Sequence, residues 1–168
     1  QKLYLIKVAR NGLGFYKKDH VHRVFKALKE LQSRKELVNA AVVRGAGVAA
    51  RVAQMCFGNA LGFDFDSALT EEELFSRTFG AVIVAVPNDP NAIDKIKMTG
   101  GKYIGSTNTR GLFTYNGQEI SAGAAAISYA GKLERIFPTF AAEGNMKLRI
   151  DEFKTYKTFK AAPGVLKS

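Results

Sequence analysis

The sequence has one cysteine and no long apolar run. These two features exclude a disulfide-stabilised domain and a membrane-spanning helix. Cys56 is the single cysteine, which excludes an internal disulfide and fits a reduced cytoplasmic setting. No apolar run approaches the roughly 20 residues that a membrane-spanning helix needs. The start of the chain, QKLYLIKVARNG, is typical of a strand and a turn rather than a signal peptide. We therefore expect a cytoplasmic domain without a membrane partner.

Acidic residues are also scarce: 15 Asp and Glu face 25 Lys and Arg, for a formal net charge of +10. Such an excess of positive charge can indicate a polyanionic partner. However, no basic run is longer than a pair such as Lys17–Lys18, and the aromatic residues look mostly like core residues. Nucleic-acid binding would need basic and aromatic residues together on one exposed face. A nucleic-acid-binding domain therefore stays open only as the least favoured alternative.

The chain of 168 residues, 46% of them apolar, suits one globular domain with a tail. Apolar runs indicate strands at 3–9, 37–43, 61–66, 80–87, 102–107 and 111–119. Helical spacing indicates helices at 20–34, 48–57, 71–76, 90–97 and 121–133. Strands alternating with helices, with a hairpin at Asn116–Gly117, predict an α/β (α+β) fold with helices packed on one mixed sheet. The weakly periodic residues 143–168 are interpreted as a linker that follows a domain over 1–142.

Several residues predict where helices begin and end. Asp19 is placed as the N-cap of the first long helix, whose apolar face includes Phe25. Thr70 and Glu73 form a capping-box pattern, and Asp89 with Pro90 predicts another helix start. Gly58 is expected to end the second helix in a left-handed conformation.

Few residues suggest chemistry. His20 and His22 are two apart on a helix and cannot chelate one metal together, so a surface role is favoured. Cys56 lies between Met55 and Phe57 and is interpreted as inert packing. Asp64 and Asp66 share one strand face and could bind Mg²⁺, although a solvated strand face is the favoured interpretation.

The best site candidate is the turn formed by Arg44, Gly45, Ala46 and Gly47 between a strand and a helix. Backbone N–H groups at a helix start, the helix dipole and an arginine all favour an anion such as phosphate. The alternative is that glycine serves only the packing of the helix on the strand. Asn11, Gly12 and Gly14, after the first strand, are candidates for a second rim of the same pocket.

A strand ending in RNGLG, a helix beginning DHVHRVFKAL, and the segment VVRGAGVAARVAQMCFGNALGFDF together resemble a known family. The chain resembles the last of the paired synthetase-like domains of phosphoribosylformylglycinamidine synthase, which itself is similar to the C-terminal domain of aminoimidazole ribonucleotide synthetase. The resemblance covers residues 3–140 and is most specific over 44–65. In the family, the equivalent segment runs like HDVSDGGL, followed by a helix.

The resemblance implies an α/β domain that faces ATP-binding domains of the same polypeptide and precedes a glutaminase domain. The whole enzyme would be a glutamine-dependent ligase of purine biosynthesis that uses ATP and Mg²⁺ to convert formylglycinamide ribonucleotide to the amidine. Here Ala41 and Val42 stand where the family has His-Asp, and Arg44–Gly47 replace Ser-Asp-Gly-Gly.

These replacements remove the side chains that could hold a metal or move a proton. We therefore expect no catalytic residue, no metal ligand and no tightly bound cofactor on this chain. The alternative from another class is a non-catalytic scaffold or docking module.

Overall fold

Seven strands and five helices follow one another along residues 1–134, the part of the chain that this computed structural model describes. The strands are β1 (Lys2–Ile6), β2 (Asn39–Val42), β3 (Gly62–Phe65), β4 (Val82–Val86), β5 (Lys102–Asn108), β6 (Leu112–Tyr115) and β7 (Gln118–Ser121). The helices are α1 (Lys18–Ser33), α2 (Gly47–Phe57), α3 (Glu71–Phe75), α4 (Pro90–Met98) and α5 (Ala122–Glu134).

All seven strands belong to one sheet with the order β2-β4-β1-β5-β3-β6-β7. Neighbouring strands are antiparallel except β3 and β6, which are parallel. The predicted mixed sheet with helices packed on it is confirmed. No helix within residues 1–134 is long and apolar enough to cross a membrane.

Helices cover both faces of the sheet at the neighbouring strands β1 and β4. Alternate residues of a strand point to opposite faces. Leu3, Leu5 and Ile83 pack with buried residues of α2 and α3 on one face. On the other face, Tyr4, Ile6, Val82, Val84 and Val86 pack with buried residues of α1 and α4. The continuous run VIVAV is therefore buried along its whole length, as a strand with two covered faces requires.

Three of the predicted local signals are confirmed. Thr70 Oγ1 accepts from the Glu73 backbone N–H, and the Glu73 carboxylate accepts from the Thr70 N–H, which completes the capping box. Asp89 caps α4 by accepting from the Ala92 N–H. Asn116 and Gly117 both have positive φ, 46° and 79°, as the two-residue hairpin between β6 and β7 demands.

Two predictions about α1 are wrong. The helix begins at Lys18 with Lys17 as its N-cap, and Asp19 lies in the first turn without capping it. A negative charge is still favourable there because of the helix dipole. Phe25 is 56% exposed, since the inward positions are Val24, Leu28 and Leu31 and a neighbouring residue is rotated by roughly 100° around the helix.

The predicted left-handed cap at Gly58 is also wrong. Gly58 keeps right-handed helical angles, φ −61° and ψ −27°, and the chain turns at Ala60, whose φ is 50°. The Leu61 N–H donates to the Cys56 carbonyl, and Leu61 packs against the core. The chain therefore changes direction at Ala60, two residues after Gly58. This position brings Leu61 onto the core.

The residues Gln1–Tyr129 form one compact unit, and a second unit begins at Ala130. The predicted boundary between 142 and 143 and the predicted linker 143–168 lie outside the described residues.

Candidate functional site

The turn between β2 and α2 is closed by its own backbone and packs tightly against α3. The Gly47 N–H donates to the Arg44 carbonyl over 3.1 Å, and Gly47 has φ +83°. A Cβ at Gly47 would lie 2.7 Å from the Leu74 carbonyl oxygen and 3.0 Å from the Phe75 Cα. Glycine is therefore required here both for its φ and for the close approach of α2 to α3.

A cavity of about 140 Å³ opens beside this turn. It is lined by Arg44, Ala46, Gly47, Ala50, Arg51, Gln54 and Tyr129. Arg51 Nη1 donates to Gln54 Oε1 over 2.8 Å, while Arg51 Nε is buried with no hydrogen-bond partner within residues 1–134. Two guanidinium groups without a carboxylate make the cavity cationic, and the first turn of a helix adds N–H groups without intrahelical partners.

The chemical repertoire of that cavity is small. Arginine stays protonated in proteins and cannot act as a base. The lining contains no carboxylate, imidazole or thiol that could move a proton or attack a substrate. The arrangement can attract an anion but lacks the carboxylate, imidazole and thiol groups that most often carry acid–base or nucleophilic catalysis. Anion binding by Arg44, Gly45, Ala46 and Gly47 stays a prediction.

The second predicted rim closes on itself rather than on this cavity. Asn11 Oδ1 accepts from the backbone N–H groups of Leu13 and Phe15, at 3.0 and 2.9 Å. The Asn11 amide is thus occupied with shaping the loop, and a Cβ at Gly12 or Gly14 would meet nothing within 4 Å. Asn11, Gly12 and Gly14 do not line the cavity beside Arg44.

Phe79 lies between the two glycine turns. Its carbonyl accepts from the Tyr16 hydroxyl at 2.8 Å and from Arg10 Nη2 at 3.4 Å. Its ring would be 3.8 Å from a Cβ placed on Gly45. Arg10 and Tyr16, which flank the second predicted rim, therefore contact the backbone of the residue whose ring lies beside Gly45.

A larger cleft on this end of the sheet was missed by sequence reasoning. It has a volume of about 460 Å³ and is lined by Lys7, Val8, Arg10, Arg77, Thr78, Phe79 and Ala81. These residues come from the loop that follows β1 and from the segment before β4. The basic residues come from two segments about 70 residues apart and form no local motif, so only the fold brings Arg77 to Lys7 and Arg10.

Asp64 and Asp66 do not act as a pair. Asp64 Oδ1 accepts from Thr114 Oγ1 at 2.6 Å, from Arg110 Nη2 at 2.6 Å and from Asn108 Nδ2 at 3.0 Å. The hydrogen bond from Thr114, followed by those from Asn108 and Arg110, holds the pKa of Asp64 below its usual value despite partial burial. Asp66 instead accepts locally from the Ala68 N–H.

The remaining candidates take structural roles. Within residues 1–134 no three His, Cys, Asp or Glu side chains are grouped to hold a metal ion. His20 Nδ1 accepts from the Ala9 N–H at 2.8 Å, while His22 is exposed. Cys56 is 2% exposed, and burial raises the pKa of its thiol to about 11, which confirms that it is a buried packing residue.

Comparison with known proteins identifies the fold. No protein-family model matches the chain, and no curated protein sequence matches it. Phosphoribosylformylglycinamidine synthase II from Thermotoga maritima superposes with a TM-score of 0.58 at 12% identity, over 74% of this chain and 25% of that chain. PurLQS from the same organism gives a TM-score of 0.59 at 11% identity, again over 74% and 25%. T. maritima PurL complexed with ATP gives 0.57 at 12%, with the same coverage.

These structural neighbours are chains of the synthase that the sequence resembles. The chain has the fold of one part of them and spans about a quarter of their length. At this level of identity the likeness establishes the fold.

Proposed function

We propose that the chain is a synthetase-like domain of phosphoribosylformylglycinamidine synthase. The full-length protein would be a cytoplasmic carbon–nitrogen ligase of de novo purine biosynthesis with glutamine as amido donor. It would use ATP and Mg²⁺ to convert formylglycinamide ribonucleotide to formylglycinamidine ribonucleotide. The observation that carries this proposal is the shared fold over 74% of the chain with T. maritima PurL. The residue pattern at 44–65 supports it independently of the fold.

Within that enzyme this domain would have no catalytic role of its own. The cavity at Arg44–Gly47 has a helix N-terminus and cationic side chains but no carboxylate, imidazole or thiol in its lining. The ATP-binding domains and the glutaminase would supply the reactive groups, as other parts of the same polypeptide.

The test is an assay of the full-length gene product that contains this chain. Incubation with formylglycinamide ribonucleotide, ATP, Mg²⁺ and glutamine should release ADP and form the amidine. The isolated chain, assayed at the same concentration, should release no ADP above a heat-denatured control. Absence of amidine formation by the folded full-length product would overturn the assignment. ADP release by the isolated chain would overturn its non-catalytic role.

A docking module is the second candidate function, and the surface of α5 favours it. Ile127 and Tyr129 are 75% and 60% exposed on this helix. Large apolar side chains left in solvent often mark surfaces that another domain covers. The glutaminase domain would be the partner.

Sedimentation of the chain mixed with the separately produced glutaminase domain tests this role. Docking through α5 predicts a complex that Ile127→Asp abolishes and Phe25→Asp leaves intact. Both variants place a new charge at an exposed apolar position, but on different helices. Equal binding by both variants would exclude α5 as the docking surface.

A further inference from the structure

The cleft of about 460 Å³ at the end of β1 concentrates positive charge in a concave surface. Lys7, Arg10 and Arg77 line it, together with the half-buried Val8 and Thr78, the aromatic Phe79 and the buried Ala81. Its volume lies within the roughly 300–1,000 Å³ of small-molecule sites. Charges in a partly apolar concavity interact more strongly with a ligand than charges on a flat solvated surface.

Arg10 is held in place by neutral groups only. Its Nη1 donates to the Gly14 carbonyl at 3.0 Å, and its Nη2 donates to the Tyr16 hydroxyl at 2.8 Å and to the Phe79 carbonyl at 3.4 Å. The guanidinium carbon also lies 4.3 Å from the centre of the Tyr16 ring. Three of the five N–H groups of an arginine are used in this way, and none neutralises its charge. Arg10 is therefore oriented before a ligand arrives, which lowers the entropic cost of binding.

The other two cations are weakly compensated. Lys7 Nζ is 3.9 Å from Glu73 Oε1, but that carboxylate lies closer to Lys102, at 2.7 Å. Arg77 is exposed and has no ion pair within residues 1–134. Within residues 1–134, Lys7 alone of the three cations has a carboxylate within 4 Å, and that carboxylate is already paired with Lys102 outside the cleft.

This combination fits a compact dianion. Arginine donates in a planar fork that matches the oxygens of a phosphate group, and lysine adds a point charge. We propose that the cleft binds the phosphate group of a small phosphorylated molecule, with Arg10, Arg77 and Lys7 as its contacts. The site is separate from the cavity beside Arg44, and it extends the proposed function without depending on it.

A small ligand is favoured over nucleic acid because the charge is local. A nucleic-acid strand needs a groove that follows its backbone over several nucleotides. Here the three cations converge on one cavity rather than forming a row. The exposed ring of Phe79 on the wall would contact the apolar part of the phosphorylated molecule.

The experiment is an NMR titration of the ¹⁵N-labelled chain at low chloride concentration. The probes are inorganic phosphate, glycerol 3-phosphate and a single-stranded oligothymidylate. Both small probes should shift the amide signals of residues 7–10 and 77–81. Arg77→Gln should weaken binding of glycerol 3-phosphate by about tenfold, the effect of losing one charge-assisted hydrogen bond. Arg23→Gln, at an exposed position of α1 outside the cleft, should change it less than about twofold.

Several outcomes would overturn the site. Shifts centred on residues 44–50 would place the anion in the other cavity, and equal weakening by Arg77→Gln and Arg23→Gln would mean non-specific attraction. Tight binding of the oligonucleotide without binding of glycerol 3-phosphate would indicate nucleic acid instead. Because Arg10 also supports its loop, Lys7→Gln serves as the second variant and should weaken binding in the same direction. The titration uses the chain alone, so its failure leaves the assay of the full-length product unaffected.

Discussion

The strands β1 and β4 and the strands β6 and β7 belong to one sheet but are stabilised in different ways. All five residues of β4 are buried, and so are four of the five in β1. In β6 every residue is half-buried, and in β7 every residue is exposed. The first pair has helices on both faces, so its stability comes from removing apolar side chains from water.

The second pair depends more on directional polar contacts. The Asn116–Gly117 hairpin joins β6 to β7, and Asp64 of β3 accepts from Thr114 of β6. Asp64 also accepts from Asn108 of β5 and from Arg110 in the turn before β6. One carboxylate therefore links β5, β3 and β6 where apolar burial is incomplete. The contrast shows that a single sheet can combine a hydrophobic half with a half organised by hydrogen bonds.

The largest expected effect is on the buried pair. Ile83→Ala removes a side chain with 0% exposure and should lower the free energy of unfolding by about 2–5 kcal/mol. Ile120→Ala makes the same chemical change on β7, where Ile120 is 60% exposed, and should change stability by less than about 0.5 kcal/mol. Urea unfolding of both variants measures the difference. Similar losses would show that β7 is covered in solution.

The two glycine turns offer a second matched pair. Gly47 and Gly14 both have φ +83°, so an alanine at either position incurs the left-handed strain of about 1–2 kcal/mol. Gly47→Ala also forces a Cβ to 2.7 Å from the Leu74 carbonyl, whereas at Gly14 the space is open. Gly47→Ala should therefore cost about 1–3 kcal/mol more than Gly14→Ala in thermal or urea unfolding. Equal costs would contradict the close packing of α2 against α3 at Gly47.

The polar half is tested by Asp64→Asn. It removes a charge that accepts three hydrogen bonds, and the cost should be about 1 kcal/mol, because the side chain is 38% exposed and solvent screens it. Asp66→Asn is the control, since an amide oxygen can still accept from the Ala68 N–H. Chemical denaturation at pH 7 compares the two. A larger loss in Asp66→Asn would contradict the assigned role of Asp64.

The smallest expected effect is the pH dependence of that contribution. The Thr114 hydrogen bond, with those from Asn108 and Arg110, holds the pKa of Asp64 below the ordinary value near 3.9. A depressed pKa gives stability that is complete above the ordinary value and is lost as the pH falls through the folded-state value. The stability gap between the natural chain and Asp64→Asn should stay constant from pH 7 to about 5 and shrink below about pH 4. A gap that widens on acidification would mean that the folded state favours the protonated acid.

Local patterns were sufficient to predict most elements and several of their ends. The capping box at Thr70 and Glu73, the Asp89 cap and the Asn116–Gly117 hairpin each involve residues within a few positions of one another. Their energetics are local, so a short stretch of sequence contains all the interacting groups. The sequence also predicts the buried strand VIVAV, because a strand covered on both faces is apolar at every position.

Predictions that depended on orientation were less successful. The sequence suggested that aromatic residues are mostly core, yet six of those within residues 1–131 are exposed. They are Phe15, Tyr16, Phe25, Phe75, Phe79 and Tyr129. An apolar side chain can lie on either side of its backbone, and the cost of leaving it exposed is spread over the whole surface. Composition and spacing do not record which side the fold leaves uncovered.

By itself the sequence determined the class of fold, the alternation of strands and helices and the absence of carboxylate, imidazole and hydroxyl side chains at Arg44–Gly47. The tertiary structure decided which distant groups meet. The partners of Asp64 lie 44 to 50 residues away in the chain, and Arg10 meets the Phe79 carbonyl across 69 residues. Such contacts follow from strand order and register, because a sheet brings together segments that share no local signal. The Asp64 network and the cationic cleft are therefore products of the sheet rather than of any motif.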